Sequence, residues 1–152
     1  MQLQDQVCSI EHAKRLSQLM GRKDSLFYHS FRYKSFSDKE IIDHAITMIP
    51  CGEYLSAYTS DELLNLLPAY IIYTDIKPYD YFYLRIDKRT YEDIRYSAKY
   101  ICSSIKGEEI NNPFFEMPCP AKSHAATLAD CLAGMLIYLL ENKMMEVPNH
   151  KE

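Results

Sequence analysis

The sequence lacks tryptophan and contains few glycines. Only four glycines occur among 152 residues, and they are widely separated, at Gly21, Gly52, Gly107 and Gly134. Phosphate-binding loops and dinucleotide-binding turns need several glycines within a short span, because the backbone passes close to the phosphates. The glycine spacing therefore excludes both kinds of nucleotide site. The GxSxG pattern of serine hydrolases and the HExxH pattern of zinc proteases are also absent.

The cysteines lack the spacing of a disulfide-rich secreted domain. They are five in number and contain no CxxC pair, and they stand at Cys8, Cys51, Cys102, Cys119 and Cys131. The first ten residues, MQLQDQVCSI, contain neither a basic leader nor an apolar signal core. We therefore expect reduced thiols and a cytoplasmic location.

The chain also lacks an apolar run long enough to cross a membrane. The most apolar stretch, LADCLAGMLIYLLENK, extends from Leu128 to Lys143 and contains Asp130. A spanning helix needs about 20 predominantly apolar residues, whereas this run ends at Leu140. We therefore expect no membrane association and a helix that is apolar on nearly every side. Such a helix is buried in a core or, as the alternative, shared with a second copy in a homodimer.

Composition and charge are those of an ordinary globular protein. Apolar residues make up 47% and charged residues 25%, which argues against disorder. A chain of 152 residues has the size of one common domain, so we expect a single domain over residues 1–152. The net charge of −4 argues against a protein that coats nucleic acid through bulk electrostatic attraction.

Helical periodicity and helix-start residues predict four helices. They cover residues 9–20, 37–50, 60–67 and 127–143. Ser9 is a favourable N-cap for the first helix. The pairs Ser37/Glu40 and Thr59/Glu62 have the spacing of capping boxes, which predicts helix starts at both.

Aromatic and alternating segments predict strands at residues 25–36, 54–58, 69–76 and 81–87, the last two forming a hairpin around KPYD. Residues 91–105 fit a strand or a helix, and we favour the strand. Residues 106–123 contain three prolines and are predicted to be a loop. The expected fold is α+β, with an antiparallel sheet of about three to five strands packed against the N-terminal and C-terminal helices as one pair of layers.

Tyrosines and cations are concentrated in the predicted strands. Eight tyrosines lie between residues 70 and 100, and six basic but only three acidic residues lie from Arg85 to Lys106. The candidate binding residues are Tyr81, Tyr83, Arg85, Arg95 and Lys99. Tyrosine and arginine are enriched in protein-interface hot spots, and they also stack on the bases of single-stranded nucleic acid. A third interpretation is that a second layer covers these tyrosines, so that they form part of the core.

The remaining cysteine and histidine pairs are weak candidates for a metal or catalytic site. Cys8/His12 and Cys119/His124 supply ligand types for a tetrahedral zinc site, but neither spacing is distinctive. Cys51 follows a predicted helix that contains His44, and a cysteine beside a histidine can act as a catalytic nucleophile. A structural role for the Cys51 thiol is the simpler interpretation. We therefore predict no catalytic residue, no metal and no cofactor.

Four segments carry a resemblance to a known group of proteins. They are CSIEHAKRL (residues 8–16), SLFY (25–28), SAYTSDELLNLLP (56–68) and TLADCLAGMLIYLLENK (127–143). In this order they resemble small uncharacterised proteins encoded by phages and prophages of gut bacteria. The resemblance assigns no catalytic or ligand-binding residue, and it implies an accessory protein of a mobile element acting in a bacterial cytoplasm.

These observations predict a non-enzymatic accessory or interaction protein that binds another protein of unknown identity. The alternative is a small protein that binds single-stranded nucleic acid through a tyrosine and arginine face of a sheet.

Overall fold

Helices and antiparallel strands both contribute to the fold, as the α+β prediction requires. The computed structural model describes residues 2–35, 37, 40–75, 81–88, 95–102 and 119–148. After a 3₁₀ turn at Leu3–Asp5, the described elements follow in the order α1 (Ile10–Met20), β1 (Tyr28–Tyr33), β2 (Ile41–Thr47), β3 (Glu53–Ser56), α2 (Ser60–Leu66), β4 (Tyr70–Ile72), β5 (Tyr81–Lys88), β6 (Tyr96–Ile101), β7 (Ala121–Ala125) and α3 (Leu128–Glu141).

The described strands form two sheets, whereas we expected a single sheet. The first sheet has the order β2-β1-β3 and the second has the order β4-β5-β6-β7, and all the pairings are antiparallel. The predicted β4–β5 hairpin pairing is confirmed, while its turn at residues 77–80 lies outside the described residues. The strand interpretation within 91–105 is confirmed for Tyr96–Ile101.

Local capping sets the starts of the three α-helices that the structure describes. The Ser9 hydroxyl accepts from the backbone N–H of His12 at the start of α1. Thr59 and Glu62 form the predicted capping box of α2, and Thr127 caps α3. Each cap satisfies backbone donors that have no partner inside the helix.

The helix predicted over residues 37–50 is wrong, because this part of the chain forms strand β2. Its isoleucines recur at helical spacing, but Ile41, Ile46 and Thr47 are β-branched and suit a strand equally well. Pairing decides the outcome. β1 supplies an antiparallel partner along the length of β2, from Tyr28 opposite Thr47 to Tyr33 opposite Ile41.

The loop predicted over residues 106–123 also needs correction. Strand β7 begins at Ala121 and pairs with β6, from Tyr100 opposite Ala121 to Tyr96 opposite Ala125. Its sequence, AKSHA, contains no β-branched or aromatic residue, so local propensity gives no strand signal. Residues 106–118 lie outside the described part of the chain.

Helix α3 occupies the centre of the core, as its apolar sequence predicts. It packs on β6 and β7 and contacts both α1 and α2. Leu132, Met135 and Leu136 are fully buried in one cluster with Phe82 and Tyr100 of the second sheet. Among the described residues, no helix has the length and apolar character needed to span a membrane.

Candidate functional site

The second sheet has one side against α3 and one side that carries exposed tyrosines. We call this outer side the tyrosine face. Its members, assigned by strand register and alternation, are Tyr70, Ile72, Tyr81, Tyr83, Arg85, Asp87, Ser97, Lys99, Ile101, Lys122 and His124.

Alternation along β5 separates the two sides. Phe82 is fully buried against the helices, whereas its neighbours Tyr81 and Tyr83 are 53% and 43% exposed. On β4, Tyr70 and Ile72 are likewise exposed at 49% and 58%. Within the described part of the chain no second layer covers these four side chains, so the interpretation of the tyrosines as core does not apply to them.

The tyrosines of this face contact one another. The ring centroid of Tyr70 lies 5.8 Å from that of Tyr81 and 6.0 Å from that of Tyr83, with interplanar angles of 53° and 48°. These tilted arrangements are favourable for aromatic pairs. The result is an exposed aromatic cluster that continues into Ile72, opposite Tyr81 in the register.

Three cations stand side by side across the same face. Arg85 is opposite Lys99, and Lys99 is opposite Lys122, on strands β5, β6 and β7. We call these three residues the cationic row. Like charges placed directly opposite each other destabilise a sheet. Asp87 offsets one of them, with its Oδ1 2.9 Å from Nε of Arg85.

The structure brings together four of the five predicted binding residues and separates the fifth. Tyr81, Tyr83, Arg85 and Lys99 share the tyrosine face. Arg95 precedes β6 and lines a cleft of about 710 Å³ that also contains Thr59 and Thr127 at two helix starts. Arg95 therefore lies outside the tyrosine face, because nearness in sequence does not place it beside Lys99.

Lys122 of the cationic row is not among the binding residues predicted from the sequence. Lys122 lies on β7, which was predicted to be a loop, so no register could place it beside Lys99. Lys122 stands between Ala121 and Ser123, and this local sequence is too weak a signal to predict a strand.

Cys8 and His12, one of the two pairs considered as zinc ligands, lie in surroundings that do not favour metal binding. Burial raises the pKa of the Cys8 thiol to about 12, which opposes formation of a thiolate ligand. His12 directs Nδ1 to Asp130 Oδ1 at 2.9 Å. Within the described parts of the chain, no group of three or more potential ligands could hold a metal ion.

Ser9, His12 and Asp130 form a contact cluster between α1 and α3. The Ser9 hydroxyl lies 2.8 Å from His12 Nδ1, the same nitrogen that faces Asp130. In a catalytic triad the serine and the carboxylate occupy opposite ring nitrogens, so that the imidazole can transfer a proton between them. This cluster therefore connects two helices and does not form a triad.

His44 is paired with a histidine and not with Cys51. Its Nε2 lies 3.1 Å from Nδ1 of His29, a buried residue of β1. The other nitrogen of His29 donates to the carbonyl oxygen of Cys8 at 2.8 Å, since a carbonyl can only accept. The Cys51 thiol instead contacts the carbonyl of Ile49.

No model of a known protein family, no curated protein and no solved structure matches this chain. The tyrosine face is therefore interpreted from its own chemistry.

Proposed function

We propose that the protein is a non-enzymatic accessory protein of phage or prophage type that binds another protein through the tyrosine face in a bacterial cytoplasm. The observation that carries this proposal is the exposed cluster of Tyr70, Tyr81 and Tyr83 with Ile72. Contiguous exposed apolar surface bounded by charged residues is characteristic of interaction sites.

The chemistry of the cluster favours a protein partner. Tyrosine supplies large contact area with few rotatable bonds, and together with arginine it is enriched among the residues that dominate binding energy. Ile72, more than half exposed, adds an aliphatic surface that a protein side chain can cover. The partner would remove this apolar area from water, which is the main driving force for association.

Single-stranded nucleic acid is the second candidate, and the cationic row is the observation that favours it. Nucleic-acid channels combine cations for the phosphates with aromatic rings for the bases. Two features oppose this assignment. Asp87 places a negative charge on the face beside Arg85, and the tyrosine rings pack against each other instead of standing as separate platforms.

Site-specific photo-cross-linking in bacterial cells tests the proposal. A benzophenone amino acid replaces Tyr81 on the face or, as the matched control, Tyr138, which is 37% exposed on α3 at the opposite side of the sheet. We expect a discrete adduct from position 81 that resists nuclease and is digested by protease, and none from position 138. Added unlabelled protein should compete for this adduct, whereas a Tyr83→Ser variant should compete poorly.

A nuclease-sensitive adduct would transfer the assignment to nucleic acid. Equal adducts from both positions, or no adduct from position 81, would refute the tyrosine face as the binding surface.

A further inference from the structure

We infer that the partner presents an amphipathic helix with an acidic edge, which lies across the strands of the second sheet and pairs its carboxylates with the cationic row. This inference rests on the proposed function and specifies the chemistry of the partner. It derives from the register of three strands together with the spacing of two rows of side chains.

Two rows cross the face side by side. Tyr70, Tyr83 and Ile101 are opposite one another on β4, β5 and β6 and form an apolar row. The cationic row lies beside it, because Arg85 follows Tyr83 by two residues on β5. Two residues along a strand correspond to roughly 7 Å, which is less than the diameter of about 10 Å of a helix with its side chains. One helix can therefore contact both rows.

The spacing within the cationic row matches a helix better than a strand. Neighbouring strands are about 4.8 Å apart, so Arg85, Lys99 and Lys122 extend over roughly 10 Å. Helix positions i, i+3 and i+7 project at about 0, 4.5 and 10.5 Å along the axis. An extended segment presents every second residue at intervals of about 6.6 Å, and its third side chain would lie about 13 Å from the first, beyond the end of the row.

The charge of the tyrosine face determines which charge the partner should present. Among the described residues of the tyrosine face, the three cations of the row have one carboxylate beside them, Asp87, so this part of the face keeps a local positive excess in a protein whose net charge is −4. Carboxylates on the partner would relieve the repulsion among the aligned cations, and they would speed association at low salt.

Peptide binding tests this inference with defined probes. One peptide carries glutamate at positions i, i+3 and i+7 and leucine on the adjacent stripe, and a second peptide has the same composition in scrambled order. Fluorescence anisotropy with the full chain should show binding of the patterned peptide that weakens as salt rises to about 0.15 M. The scrambled peptide should bind about tenfold more weakly.

Charge reversal identifies the contact. Lys122→Glu should weaken binding of the patterned peptide about tenfold, while a peptide with lysine in place of glutamate should gain affinity for this variant. Lys14→Glu is the matched control, since Lys14 is exposed on α1 and gives the same change in net charge. Equal loss in the two variants, or equal binding of the two peptides, would overturn the inference.

The remaining outcomes are also decisive. An oligothymidylate that binds more tightly than the patterned peptide, and that loses affinity with Lys122→Glu, would identify nucleic acid as the occupant. Self-association of the chain that disappears with Tyr83→Ser would identify a second copy. If the cross-link from position 81 still traps a protein while the patterned peptide fails to bind, the proposed function stands and the acidic helix is wrong.

Discussion

The carboxylate of Asp130 accepts a hydrogen bond from the backbone N–H of Ser9, with 2.6 Å between the nitrogen and Oδ1. Ser9 is the N-cap of α1, and Asp130 lies in the first turn of α3. In a local capping box, a glutamate three residues further along the chain accepts from the backbone N–H of the N-cap residue. Here Asp130, 121 residues away in sequence, accepts from the Ser9 N–H instead. The start of one helix depends on the placement of the other.

Asp130→Asn should destabilise the fold by about 1–3 kcal/mol at neutral pH, because the bonds to Ser9 and His12 lose their charged acceptor. Burial raises the pKa of Asp130, but the hydrogen bonds of His12 and Ser9 outweigh it and hold the pKa below its ordinary value of 3.8. The native state thus favours the carboxylate. Its contribution is complete above the ordinary pKa and is lost as pH falls through the lower folded value.

Urea unfolding of wild type and Asp130→Asn over a series of pH values checks this dependence. The difference between the two should shrink below about pH 4. Asp61→Asn, an exposed carboxylate on α2, serves as the control. A difference that does not change with pH would contradict the role of charge.

His29 should make the protein less stable in mild acid. Burial, with a smaller contribution from His44, lowers the pKa of His29 below its ordinary value of 6.5, against the opposing effect of the bond to Cys8. A lowered pKa means that the unfolded chain binds this proton more readily than the native state does. Stability is therefore complete above the ordinary pKa and falls as pH drops below it.

The measurement compares wild type with His29→Gln, which keeps a donor for the carbonyl oxygen of Cys8 but does not titrate. Between about pH 8 and about pH 5, wild type should lose more unfolding free energy than the variant. His124→Gln controls for an exposed histidine. Parallel pH profiles for wild type and His29→Gln would show that His29 carries no such dependence.

The elements predicted correctly are those whose determinants lie within a few residues. Thr59 and Glu62 cap α2 across one turn, and the alternation of Phe82 between Tyr81 and Tyr83 assigns the two sides of β5. Strand β2 was mistaken for a helix because its isoleucine spacing fits both structures, and the deciding partner β1 is a separate segment. Strand β7 is defined by its pairing with β6, a separate segment, and for that reason Lys122 was not among the predicted binding residues.

Ser97 should tolerate loss of its hydroxyl. It is 1% exposed, and its Oγ has no hydrogen-bond partner in the described part of the chain. A buried polar group without a partner costs free energy, so Ser97→Ala should leave stability unchanged or raise it by about 1 kcal/mol.

Ser30→Ala is the contrasting variant. The Ser30 hydroxyl bonds Thr47 and the Cys51 N–H, and its loss should cost about 1–2 kcal/mol. Thermal melting of both variants gives the comparison, and a Ser97→Ala loss as large as that of Ser30→Ala would contradict it.

Gly134 and Ser123 should be energetically coupled. A Cβ added at Gly134, in the middle of α3, would stand 2.6 Å from the Ser123 hydroxyl on β7, so that hydroxyl must rotate away. Alanine gains about 1 kcal/mol of helix propensity over glycine, while a displaced rotamer costs of order 0.5–1.5 kcal/mol. These terms nearly cancel, and Gly134→Ala alone should change stability by less than about 1 kcal/mol.

The double mutant separates the two terms. Ser123→Ala removes the hydroxyl, and its Cβ lies 3.7 Å from the added carbon, an ordinary contact. Gly134→Ala introduced into the Ser123→Ala protein should therefore show the full propensity gain of about 1 kcal/mol. The four proteins form a double-mutant cycle with an expected coupling free energy of about 0.5–1.5 kcal/mol, measured by urea unfolding. Additive effects would mean that the Ser123 hydroxyl rotates away without a cost in free energy. Close packing against β7 would then not explain the glycine at the centre of α3.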